Sequence, residues 1–301
     1  MLHNEPNCIV CGGVPSGSTP VKDHMVSGEV FQVQTCGSCA FRWTSPRPSN
    51  EHIGPYYNSP DYLSHNNQKK SLFSLVYNTL RLWAAGQKVR SVAQHLRVQT
   101  PGQTLQKGTW LDVGCGIGVF LQAAQRQGYG AVGVEVSESA RLQASQRLQE
   151  PVYEQLEQAT GTYQAITLWH VLEHLPQPEE TLKKLWELAE PGAVLAIAVP
   201  NPDSWDAKHY GTAWAAWDVP IHFWHFNQSS VKTLLGRTGW KCTDVQPMWL
   251  DSYYVGLLSE SFRHGRKKWL SAVRTGWISN RKGTNPVNTS SLVYWAQKEA
   301  I

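Results

Sequence analysis

Three groups of residues in this 301-residue chain have the types and spacing to do chemistry. The first is Asp112-Val113-Gly114-Cys115-Gly116-Ile117-Gly118. Thr109 to Val113 reads as a short buried strand. The glycines then let the backbone turn sharply and approach a ligand, and Val119 to Arg126 can start a helix whose free N–H groups face it. A dinucleotide site would read G-x-G-x-x-G, and its last position here is Val119. An acid inside the turn suits a ligand with an ammonium group better than a pyrophosphate. About twenty residues on, Gly133-Val134-Glu135 closes a second strand with a carboxylate placed to accept two ribose hydroxyls.

The second group is Cys8-Ile9-Val10-Cys11 with Cys36-Gly37-Ser38-Cys39. Two Cys-x-x-Cys knuckles at this separation predict a zinc ribbon, four thiolates around a tetrahedral Zn²⁺. Gly28 to Gln34 alternates like a strand leading into the second knuckle. The site is expected to be structural, because so small a segment cannot bury enough core alone; a ribbon can also grip a substrate or partner.

The third group is rich in histidine. His170-Val171-Leu172-Glu173-His174 matches the H-x-x-E-H pattern of zinc peptidases. Its place directly after a strand, with no third ligand in view, argues against that chemistry. Read as a helix, it sets His170, Glu173 and His174 on one face. Asn201 to Phe226 is dense in aromatics and histidine, including Trp205, His209, Trp214, Trp217, Asp218, His222, Trp224 and His225. An unpaired histidine near pH 7 can take a proton from a hydroxyl, and His222 is the leading candidate for that base, with His170 its rival.

Leu111 to Leu121 with Glu135 resembles motif I and the following acidic position of the class I S-adenosylmethionine (SAM) methyltransferases, over about Gly108 to Val199. The resemblance implies an α/β, Rossmann-like fold with a seven-stranded sheet and an antiparallel last strand. It implies SAM as cofactor, bound by Asp112, Gly114, Cys115, Gly116, Gly118 and Glu135, with Leu156 beside the adenine and Leu168 and Trp169 at the end of the fourth strand. His170 would lie beside the sulfonium, with His174 close behind. Some quinone-pathway O-methyltransferases place acids and a histidine here around Mg²⁺; this chain has His170 where they carry an acid. The segment Asp218-Val219-Pro220-Ile221-His222 is similar to the acceptor-covering segment of a bacterial branch that often carries the same ribbon.

The elements that must position these residues follow from periodicity. Lys69 to Leu96 reads as helical, with apolar Leu72, Leu75, Val76, Leu80 and Trp83, then Val89, Val92, Ala93 and Leu96 after Gly86; Pro101-Gly102 ends the region. Glu138 to Gln149 is a helix capped by Ser137, Val152-Tyr153 a short strand, and Tyr163 to Leu168 the fourth strand. A helix starts at Pro178 and is ended by Glu190-Pro191-Gly192, before a strand from Ala193 to Val199. Ser229 to Gly236 is a helix; Gly239 to Val245 and Ser291 to Gln297 are strands. Alternating strands and helices imply a parallel sheet with the ligand at the strand C-termini. This divides the chain into a ribbon module (1–48), a helical cap (49–107) and a SAM-dependent domain (108–301) with an acceptor-covering segment (200–228) and a basic insertion (250–288). The ribbon lies outside the cofactor site, so the segment from Gly108 onward is expected to bind SAM alone.

Composition bounds the partners. Hydrophobic residues make up 41% and charged residues 17%, as in a soluble globular protein. No secretory signal pattern or membrane-length apolar run is seen, and cysteine usage places the chain in the cytoplasm. A net charge of +4 gives no ground for nucleic acid. The insertion concentrates Arg263, Arg266, Lys267, Lys268, Arg274, Arg281 and Lys282 against Asp251 and Glu260 alone. It reads as a solvated face, or as a contact with a phosphorylated or lipid-linked acceptor or an anionic membrane. The reaction expected is methyl transfer to a small-molecule hydroxyl, on a sugar, glycan or small aromatic. The alternatives are an rRNA base methyltransferase and a non-enzymatic ribbon module on a SAM-binding scaffold.

Overall fold

A computed structural model describes residues 2–57, 72–99 and 107–299; of residues 72–80 and 98–99 only the backbone is described. The start of the long helix before Leu72, the side chains of Leu72, Leu75, Val76 and Leu80, and Pro101-Gly102 lie outside the described part.

The chain opens with five short strands, β1 (Leu2–His3), β2 (Pro15–Lys22), β3 (Val30–Cys36), β4 (Arg42–Thr44) and β5 (Arg47–Pro48). Helix α1 (Leu72–Gln99) runs through Gly86 without a break. Then follow β6 (Thr109–Val113), α2 (Val119–Arg126), β7 (Gly130–Val134), α3 (Glu138–Leu148), β8 (Tyr163–Trp169), α4 (Pro178–Leu188) and β9 (Ala189–Pro200). The last part holds α5 (Trp205–Tyr210), β10 (Trp224–His225), α6 (Gln228–Arg237), β11 (Lys241–Pro247), α7 (Asp251–His264), α8 (Trp269–Lys282) and β12 (Ser291–Gln297).

The main sheet has the order β11-β12-β9-β8-β6-β7. Its β7, β6, β8 and β9 are parallel, and β12 enters antiparallel between β9 and β11. Among the described residues it has six strands, not the expected seven: Tyr153, just past Pro151, makes a single parallel bridge to Val134. Proline has no N–H to extend that ladder. Strand β9 is longer than expected. It starts at Ala189, and a register shift against β8 absorbs Pro191-Gly192.

Alternation along the strands sends side chains to two cores. Leu111, Ile166, Leu168, Ile197 and Tyr294 meet α4 and α6 on one face. Trp110, Ala165, Ala196 and Trp295 meet α1, α2 and α3 on the other. On that second face Val89, Val92, Ala93 and Leu96 of α1 are all buried, as their spacing predicts, whereas Trp83 is exposed. Each buried valine or leucine among them contributes about 1.5–3 kcal/mol by leaving water.

The ribbon is not a separate body. β10, from the segment after β9, pairs with β4 and completes the small sheet β10-β4-β3-β2. Cys8, Cys36, Phe41 and Trp43 share one apolar core with Leu111, Leu195 and Trp224. This shared core packs the ribbon directly against the part of the chain from Gly108 onward.

Candidate functional site

The Gly loop joins β6 to α2 at the C-terminal end of the sheet. Gly114 and Gly116 have φ of 69° and 54°, the left-handed region that favours glycine. A Cβ on Gly114 would collide with Val171, whereas one on Gly116 would meet nothing within 4 Å. The loop is packed from below and open above, which leaves room for a ligand to lie on its backbone. Glu135 closes the far side. Its carboxylate accepts the backbone N–H groups of Gly116 and Ser137, each at 2.9 Å, and both oxygens keep lone pairs for a further donor. Asp112 is buried and accepts Thr167 Oγ1 at 2.5 Å. Burial, working against that hydrogen bond and the nearby Lys88 charge, pushes its carboxyl up to about 7.

The remaining expected cofactor residues fare unequally. Cys115 is buried, and burial raises its thiol. Leu168 is wholly buried in the core, so only its backbone can reach a ligand. Leu156 is half-buried and opens a 3-10 turn whose Glu157 and Gln158 are exposed. Trp169 is half-buried, with Lys88 Nζ 4.2 Å from its ring centroid. Lys88 was missed by sequence reasoning. Its signal was a lysine on the buried stripe of α1, between Ala85 and Val92.

His170 does not continue a helix. The chain turns at φ 59° directly after β8, and only Leu172–His174 form a 3-10 turn, so His170, Glu173 and His174 do not share a helical face. The His170 ring lies between two carboxylates, with Nε2 2.9 Å from Asp251 Oδ2 and Nδ1 3.4 Å from Glu173 Oε1. Burial opposes its charge, but Asp251 and Glu173 outweigh it and push the imidazole up to about 10. A protonated ring cannot accept a proton, which argues against His170 as base. Asp251, the second missed residue, was visible only as a lone acid at the start of a basic segment.

His174 and His222 face each other edge to face, with centroids 4.6 Å apart. The Nδ1 atoms lie 2.9 Å from the carbonyls of Ile221 and Ala216 respectively, so each ring donates there and keeps Nε2 as acceptor. Burial lowers the basicity of His174 and, with the His174 and His225 rings adding to it, pulls His222 well below 6.5. Glu173 is 1% exposed, and neither carboxylate oxygen has a hydrogen-bond partner. Donor atoms of Glu173, His174 and His222 all lie within 4.8 Å of one another, so this set, like the four cysteines, could hold a metal. Neighbouring cysteine sulfurs stand 3.4–3.6 Å apart, close to the roughly 3.8 Å edge of a tetrahedron with Zn–S of about 2.3 Å.

A cavity of about 260 Å³ opens beside these rings. His170 and His174 line it from the end of β8, Asp218 and His222 from the aromatic segment, Asp251 and Tyr254 from α7, and Met25 from the ribbon. Much of the aromatic segment is scaffold. Trp214 donates to Asp206 at 2.9 Å, Trp224 donates to the Leu175 carbonyl at 2.7 Å, and His225 Nε2 lies 3.0 Å from Thr44 Oγ1. Burial takes His225 down to about 3.

The sequence model of the family described as Methyltransferase domain matches residues 85–245, more than half of the chain. The ubiquinone biosynthesis O-methyltransferase of Acinetobacter baylyi is 33% identical over 102 residues, 30% of this chain and 43% of that protein. The protein of the same name from Cronobacter sakazakii is 29% identical over 122 residues, 36% and 50% of the two chains. The chain thus spans half or less of the curated relatives it matches. The plantazolicin methyltransferase BpumL, solved with S-adenosylhomocysteine, superposes with a TM-score of 0.51 at 14% identity, covering 81% of this chain and 92% of that one. At that identity the likeness is one of fold.

Proposed function

This chain belongs to the methyltransferase-domain family, of the class I SAM-dependent kind, and from that premise we propose that it moves a methyl group from SAM to a hydroxyl oxygen of a small acceptor, a sugar ring or phenol, held in the cavity beside His170. The observation that carries this reading is the cavity itself, small and walled by histidines and two carboxylates at the end of β8, the neighbour of the strand that leads into the Gly loop. Its volume suits one ring or head group and not a folded nucleic acid.

Asp112, the Gly114–Gly118 loop and Glu135 would hold SAM, and the open space over Gly116 fits a ligand there. SAM supplies an already activated methyl group, so the protein has only to align the acceptor and accept a proton. The proton is assigned to His222. Its Nδ1–H is anchored on Ala216, and its buried ring is neutral at pH 7. A rate loss from protonating this ring falls well below pH 6.5, lower than for an ordinary histidine.

The buried Glu173 carboxylate, which faces the His170 ring at 3.4 Å but accepts no hydrogen bond, favours a second reading of the same corner. A buried carboxylate without a hydrogen bond is costly, and a divalent cation shared with His174 and His222 would relieve it. The two imidazoles anchored on carbonyls have the outer-shell arrangement common at such centres. Cys8, Cys11, Cys36 and Cys39 would hold a separate structural Zn²⁺, and the ribbon brings Met25 to the acceptor wall.

The test is incubation with SAM and panels of sugars, phenols and RNA, following S-adenosylhomocysteine release and locating the new methyl group by NMR. Methylation on oxygen supports the reading. Transfer only to an RNA base, or no turnover despite SAM binding, overturns it.

A further inference from the structure

The basic insertion folds as a hairpin of α7 and α8, and its outer face has an unusual composition. From Ser261 to Ser290 the chain carries seven lysines and arginines and no acid. Helix α8 buries Ala272, Thr275, Gly276, Ser279 and Asn280. Its opposite side exposes Trp269 by 51%, Leu270 by 89%, Val273 by 55% and Trp277 by 53%. These positions share one helical face, and the exposed Arg274 and Arg281 fall beside them. Asn280 donates to the Trp249 carbonyl at 2.9 Å, so the exposed Trp249-Leu250 turn lies at the Trp277 end of the helix.

A soluble surface gains nothing from aligning two indoles and two aliphatic side chains in water. Indoles and aliphatic groups on one face, bordered by arginine and lysine, match the boundary between lipid head groups and acyl chains. Anionic lipid adds about 1 kcal/mol per basic residue held near it. A nucleic acid would use the cations and stack on the indoles but find no partner in Leu270 or Val273. A second copy would bring the same acid-free surface against this one and be repelled.

We propose that the outer face of α8, with the Trp249-Leu250 turn, seats the protein on an anionic lipid surface, and that the acceptor is lipid-borne. Tyr254 makes the connection: it is exposed on α7 and also lines the acceptor cavity. A head group lifted from the bilayer would thus reach the cavity without its acyl chains leaving the lipid. The identity of the acceptor rests on the methyl-transfer reading, whereas the docking does not.

The test uses the full-length protein and vesicles of phosphatidylcholine, alone or mixed with phosphatidylglycerol, without any acceptor. Co-sedimentation is expected with the mixed vesicles and not with the neutral ones. Tryptophan emission should shift to the blue and be quenched by brominated acyl chains. Leu270→Asp with Trp277→Ser should weaken vesicle binding about tenfold or more, and Arg274→Glu with Arg281→Glu should do the same at low salt. All four positions are exposed, and S-adenosylhomocysteine affinity, measured by calorimetry, reports that the variants are folded. Absent vesicle binding by the wild type overturns the proposal. So does binding that survives Leu270→Asp with Trp277→Ser, a preference for RNA over vesicles, or a dimer in light scattering that Trp277→Ser dissolves. Failure of methyl transfer to every lipid acceptor, with vesicle binding intact, overturns the lipid-borne acceptor and leaves the docking standing.

Discussion

His170 Nε2 lies 2.9 Å from Asp251 Oδ2, which ties the turn after β8 to the first turn of α7. The pair joins the end of β8 to the insertion that walls the cavity. A double-mutant cycle of His170→Gln and Asp251→Asn should give a coupling of about 1–3 kcal/mol in urea unfolding. Additive effects would show that the contact does not hold the two segments together.

The two loop glycines should separate stability from binding. Gly114→Ala meets Val171 as well as an unfavourable φ, and should cost about 2–4 kcal/mol. Gly116→Ala meets only the φ term, about 1–2 kcal/mol, but places a methyl group in the open space where SAM is proposed to lie. It should fold and lose S-adenosylhomocysteine affinity by about tenfold or more, about 1.4 kcal/mol. Calorimetry on the folded variant checks this.

Glu135→Ala should weaken S-adenosylhomocysteine binding about a hundredfold, as expected for losing two charged hydrogen bonds. It should also destabilise the unliganded protein by about 1–2 kcal/mol, because the carboxylate accepts Gly116 and Ser137 N–H groups. Unchanged calorimetric affinity would remove Glu135 from the cofactor site.

Asp112 gives opposite pH trends for folding and binding. Its folded pKa of about 7 stands above the ordinary carboxylate value, so its contribution to stability is complete at acid pH and is lost as pH rises through 7. If the ionised carboxylate meets the ligand's ammonium, affinity instead rises across that window. Thermal melts from about pH 4 to 8 and calorimetry from about pH 6 to 8 should show the two trends, and Asp112→Asn should flatten both.

His222→Ala should lower kcat by about 10²–10⁴ with S-adenosylhomocysteine affinity unchanged. Metal analysis separates its two readings. A base leaves the metal content of the variant equal to that of the wild type, whereas a ligand takes one ion per chain with it and leaves the ribbon's zinc in place.

What was legible in the sequence was local. The Gly loop, α2, the Ser137 cap and β12 were each set by a spacing or turn signal contained in their own residues. The cysteine knuckles announced a cluster by spacing alone. What was hidden depends on distant partners. The left-handed turn at His170 is dictated by the neighbours of a strand end. His222 meets Glu173 only once the aromatic segment folds back, which is why H-x-x-E-H had no third ligand in view. Lys88 and Asp251 were readable as charges but not as neighbours of Asp112 and His170.

The pairing of β4 with β10 sets an order of events during synthesis. Thr44 and His225, in contact across those strands, are 181 positions apart. At about 5–20 residues per second the ribosome needs roughly 10 to 40 s to reach the second strand after making the first. For that interval Phe41 and Trp43 have no cover from Trp224 and Phe226. The four cysteines can come together early, but the sheet behind them closes only after most of the chain has emerged. A nascent chain stalled before Trp224 should therefore bind metal and still be held by chaperones that recognise exposed aromatic surface.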